Sequence, residues 1–183
     1  MATISETYGL RQWVGSDPVR RTEINENFSL LEQAISNRRT YHALGSAGPS
    51  AAGGVLNLDL STVDWSRWHE VIVEVSCADT LDCFVTANGE AAEGNEKIYE
   101  SMNTFDPISG NALGVLRGSQ RGRIQLTVFR DPTAKLTAYC YSGRYISAGA
   151  QGNISYSGLQ SLTLRGRNGS LAAGITMTAW GVD

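Results

Sequence analysis

From residue 54 onward, apolar and polar positions alternate in short runs, and that period of two predicts strands rather than helices. GVLNLDL sets Leu56, Leu58 and Leu60 against Val55, Asn57 and Asp59. HEVIVEVSC puts Val71, Val73, Val75 and Cys77 on one face and Ile72, Glu74 and Ser76 on the other. DCFVTANGE ends at Asn88-Gly89, a favoured hairpin turn. RIQLTVFRDP aligns Ile124, Leu126 and Val128 and stops at Asp131-Pro132. KLTAYCYSG sets Leu136, Ala138 and Cys140 against Thr137, Tyr139 and Tyr141, and GNISYSG follows as a short run. Two strands about an Asn168-Gly169 turn close the chain, the last with Ile175, Met177 and Ala179 opposing Thr176, Thr178 and Trp180. About eight short strands of this kind predict antiparallel sheets with one face buried, in a jelly-roll-like β-sandwich over residues 54–183. Between Glu90 and Leu113 only Ile98-Tyr99 reads as a weak strand, so a long excursion is expected there.

The first 38 residues have a different period. An irregular arm ends near Gly15, and SDPVRRTEINENFSLLEQAISNRR reads as one helix. Asp17 is its expected N-cap, Pro18 its first residue, and Arg38 and Arg39 suit its negative end. Ile24, Phe28, Leu31 and Ile35 recur at steps of four, three and four, which makes a narrow seam like that of a coiled coil. A lone helix of about this length is marginal in water. The stripe must therefore dock on the chain's own β-domain or meet the same helix in other copies. Residues 39–53, TYHALGSAGPSAAGG, carry no period and read as a plain spacer. The chain is thus expected to be mainly β: arm and helix 1–38, spacer 39–53, sandwich 54–183.

Composition narrows the function. Apolar residues are 42% and charged residues 18%, which suits a packed core, and a net charge of −3 does not favour nucleic acid or an anionic membrane. No apolar run is long enough to span a membrane, and the first residues lack the basic-then-apolar order of a secretory signal. Cys77, Cys83 and Cys140 are odd in number and unpaired in spacing, so they read as buried thiols in a protein made in a reducing compartment. The two histidines, His42 and His69, are isolated, and no nucleophile elbow, phosphate loop or zinc spacing occurs. No cofactor, metal site or catalytic residue is expected. Asp59, Asp64, Asp79 and Asp82 read as turn residues. Tyr99, Tyr141 and Tyr145 are candidate flat faces for a sugar ring, while Trp65 and Trp68 read as anchors of the sheet.

Two stretches resemble bacteriophage and prophage virion appendages. YGLRQWVGSDPVRRTEINENFSLLEQAI is similar to the N-terminal segment of tail and baseplate proteins, through Tyr8, Gly9, Leu10, Asp17, Pro18, Asn27, Phe28 and Leu31. DWSRWHEVIVEVS, RIQLTVFRDPTAKLTAYCYS and GLQSLTLRGRNGSLAAGITMTAWGVD look like phage virion β-sandwiches. The resemblance implies a non-enzymatic tail-fibre or baseplate component made in the bacterial host cytoplasm. It further implies a homotrimer, attached to other virion proteins through residues 1–38, with the sandwich outward for assembly or for adhesion to a host surface glycan. The chain lacks the repeats of long fibres and the β-helix of enzymatic tailspikes. The rival expectations are a stand-alone carbohydrate-binding module and a small glycan hydrolase using carboxylates such as Asp64 or Asp82.

Overall fold

The structure, a computed structural model, describes residues 3–4, 10–13, 18, 20–36, 40–89, 97–101, 108–109 and 112–183. The chain forms two compact units, residues 1–39 and 40–183.

In the first unit, β1 (Thr3–Ile4) pairs antiparallel with β2 (Arg11–Gln12), and α1 spans Arg21–Ser36. The helix begins later than Asp17-Pro18 suggested. Pro18 lies outside it, and the Arg20 carbonyl accepts the first bonds, from the Glu23 and Ile24 N–H groups. Asp17, Arg38 and Arg39 lie outside the described residues. The arm is fastened to one flank of α1. Asn27 grips the backbone of Arg11 like a neighbouring strand: Arg11 N–H donates to Asn27 Oδ1 at 2.8 Å, and Asn27 Nδ2 donates to the Arg11 carbonyl at 3.0 Å. Trp13 Nε1 donates to Glu23 Oε2 at 3.0 Å and Arg11 Nη1 to Glu23 Oε1 at 2.6 Å. Those two donors hold the Glu23 carboxyl below its ordinary pKa.

The second unit is a mainly β sandwich of two antiparallel sheets. Its strands are β3 (Tyr41–Ala47), β4 (Val55–Asp59), β5 (Glu70–Ser76), β6 (Asp82–Ala87), β7 (Lys97–Ser101), β8 (Ile108–Ser109), β9 (Ala112–Arg117), β10 (Arg121–Thr127), β11 (Lys135–Ser142), β12 (Tyr145–Ser155), β13 (Ser161–Gly166) and β14 (Thr176–Val182). The larger sheet runs β3-β14-β5-β10-β11-β12-β7-β8 and the smaller β4-β13-β6-β9. The pairing is nested: β3 with β14, β4 with β13, β5 with β10, β6 with β9. This is the winding of a jelly roll, the expected architecture. Past β10, the strands β11, β12, β7 and β8 widen the larger sheet.

The expected inward sets meet between the sheets. Leu58, Leu60, Val71, Val73, Ile124, Leu126, Leu136, Cys140, Met177 and Ala179 are all fully buried in one core. Trp65 and Trp68 join them, 5% and 4% exposed, so both indoles serve packing. Tyr156 is fully buried, its hydroxyl 3.1 Å from the carbonyls of Thr127 and Thr137, which ties β10 to β11. The three cysteines are free and buried, and burial pushes the Cys83 thiol up to about 12 and raises that of Cys140 further. Asp59, Asp64 and Asp131 accept bonds from residues two further on, the usual work of turn aspartates.

Two parts differ from the sequence reading. The expected spacer contains β3, which begins the roll, so the unit boundary falls at residue 39 rather than 53. The end of the expected excursion is β9, an edge of the smaller sheet. Two serines on the larger sheet secure its free side. Ser147 Oγ accepts from Val115 N–H at 2.8 Å and donates to the Val115 carbonyl at 3.1 Å; Ser142 Oγ does the same for Arg117, at 2.8 and 2.9 Å. Each hydroxyl replaces one residue of a missing neighbour strand.

Candidate binding groove

The outward rows of the larger sheet follow from its register. Trp180 pairs with Ile72, Ile72 with Gln125 and Gln125 with Tyr139. The next row is Thr178, Glu74, Arg123 and Tyr141, and beyond it come Thr176, Ser76 and Arg121. An outward isoleucine would ordinarily be wet. Ile72 is only 4% exposed, yet it is not part of the core between the sheets. Its cover comes from its neighbours on the outer face. Tyr41, Trp180, Glu74 and Arg123 surround it in a depression of about 330 Å³. A second depression of about 530 Å³ shares Glu74 and Arg123 and extends over Ser76, Arg121, Tyr141, Thr176 and Thr178. One groove thus crosses four neighbouring strands and reaches β3.

Its two ends differ in chemistry. The first has an aliphatic floor and two aromatic walls, with Tyr41 60% exposed. The second is lined by hydroxyls and charges. Ser76 Oγ and Thr176 Oγ1 lie 2.7 Å apart at its margin. Arg123 Nη2 stands 4.0 Å from Glu70 Oε1, which lies almost buried beneath it. Arg121, Arg123 and Glu74 line the groove, and Glu70 stands outside the lining beside Arg123; with Glu70 counted, the local charges balance.

The aromatic candidates are not brought together. Tyr141 lies in the groove. Tyr145 instead packs at the β11–β12 turn, where the Arg117 guanidinium sits 4.4 Å over its ring and the backbone of Gly118 abuts it. Tyr99 lies on β7 opposite Ala148, and its side chain is outside the described residues. Sequence reading missed Tyr41, Ile72 and Trp180. The signal was present for two of them, since Ile72 and Trp180 are large apolar residues at the polar phase of alternating strands. Tyr41 was hidden by the apparent spacer.

On α1, Ile24, Phe28 and Leu31 are 37%, 61% and 37% exposed. Ile35 is on the same helix, with its side chain outside the described residues. The arm's bonds fall on Glu23, Glu26 and Asn27, one position round from this stripe. Among the described residues, no group of three or more His, Cys, Asp or Glu side chains is placed to hold a metal ion.

Comparison of the chain with protein-family models, with curated proteins and with solved structures finds no match in any of the three.

Proposed function

We infer that this chain is a non-enzymatic structural or attachment component of a bacteriophage virion, joined to its sister copies and to the particle through the N-terminal unit. The β-sandwich faces outward and serves adhesion to a host surface or assembly. One observation carries the reading: α1 keeps Ile24, Phe28 and Leu31 of its apolar stripe exposed while the arm takes the helix's polar flank. A helix whose polar side is already engaged and whose apolar seam is open is suited to packing against copies of itself. The jelly roll supports the reading as an analogy of fold, because virion and lectin domains both use it.

The test is solution mass by light scattering during size exclusion. The chain is expected at the mass of three copies. Phe28→Ser with Leu31→Ser removes two seam residues, each contributing about 1.5–3 kcal/mol when buried. The double variant is expected to run smaller at micromolar concentration. A parent chain that runs as one copy at every concentration counts decisively against the reading.

A further inference from the structure

We propose that the groove on the outer face of the larger sheet is a binding site for an uncharged, hydroxyl-rich oligosaccharide, seated against Tyr41 and Trp180 and hydrogen-bonded by Glu74 and Arg123. The proposal rests on the adhesive reading above and gives it a site and a ligand class.

Three observations converge. Ile72 is shielded from water on a face that points away from the core, so the side chains around it form a shaped recess rather than a flat sheet surface. Aromatic walls stand directly beside a row of donors and acceptors, which is the pairing a sugar ring needs: its C–H face packs on an aromatic ring while its hydroxyls, each both donor and acceptor, find polar partners. Register fixes that adjacency, because Trp180 and Thr178 face Ile72 and Glu74 on the neighbouring strand. The charge balance then selects among ligands. Arg121 and Arg123 meet Glu74 in the lining and Glu70 just outside it, which leaves no local excess to hold a nucleic acid or a sulfated or uronic chain, either of which would call for a basic groove. A carboxylate and a guanidinium side by side instead suit neutral hydroxyls, with Glu74 accepting and Arg123 donating. The length fits a chain of several sugars, since the two depressions share Glu74 and Arg123 and together span the rows from Trp180 to Thr176.

The full chain is applied to an array of neutral hexose and N-acetylhexosamine oligosaccharides, with uronate- and sulfate-bearing chains beside them. A retained neutral sugar is then titrated by calorimetry. Tyr41→Ala and Glu74→Gln change exposed side chains, so both variants keep the fold, checked by circular dichroism. Each is expected to weaken binding about tenfold. Raising salt from about 0.05 to about 0.5 M is expected to change the affinity less than about twofold, because no net charge is screened. Retention of no neutral sugar, retention of charged chains alone, or parental affinity in both variants overturns the proposal. So does a drop in assembly mass caused by Tyr41→Ala, which would make the groove a contact between copies. The two readings fail separately. An assembled chain that binds no sugar removes the groove as a glycan site and leaves the appendage reading. A single-copy chain whose sugar binding depends on Tyr41 does the reverse and favours a stand-alone carbohydrate-binding module.

Discussion

Ser147 shows how much one hydroxyl carries. It is 2% exposed and serves both backbone groups of Val115, so Ser147→Ala strands a buried N–H and a buried C=O together. Each such group costs about 1–3 kcal/mol. Ser147→Ala is therefore expected to lower unfolding stability by about 2 kcal/mol or more in urea titrations, against a few tenths for a change at exposed Ser66 that leaves Asp64 its backbone bond. Neither serine of the clasp was marked in the sequence. Ser142 falls at the apolar phase of β11, where a small polar residue reads as noise, and Ser147 sits opposite the apolar phase of β12, which Ile146, Ala148 and Ala150 make. Ile72 and Trp180 are the mirror case, apolar residues in a polar phase, and there the anomaly coincides with the groove. The alternation that predicted the core thus also held the information about the site, in its exceptions.

At the scale of elements, strands with one wet face were legible and strands without one were not. β5, β10, β11 and β14 bury the residues that the alternation assigned to the interior. β9 fails the same test because Ala112 to Leu116 are all buried, so no polar phase exists to reveal a period of two. β3 fails for another reason. Four of its seven residues, Ala43, Gly45, Ser46 and Ala47, are small, and beside Gly48-Pro49 they look in sequence like a flexible spacer. A close approach joins β9 to β12. A Cβ on Gly149 would meet the Leu113 carbonyl oxygen at 2.5 Å, which is backbone and cannot swing aside. Gly149→Ala is expected to cost about 1–3 kcal/mol, read as a lowered midpoint in the same titration. The helix was legible in type, while its start was not. The Asp17-Pro18 signal lies upstream of the first turn, which opens from Arg20.

For the whole molecule, the nested order has a temporal meaning. Tyr41 pairs with Val182, and Val55 with Arg165, so the first strands of the roll wait for the last. At about 5–20 residues per second, roughly seven to thirty seconds of synthesis separate β3 from β14. Through that interval β5 lacks one of its two neighbours, and the sandwich has no closed core. Arrested nascent chains are expected to remain protease-sensitive across residues 40–183 until Val182 has left the ribosome, then to become resistant in one step. Resistance appearing with β10 would show that the inner pairs close alone. The N-terminal unit has no such delay, because Arg11 finds Asn27 within a few turns of chain. A finished helix would then emerge beside an unfinished sandwich on every ribosome along a message. Helices on neighbouring ribosomes are held near one another, so the association proposed for α1 would begin before any copy has folded its β-domain.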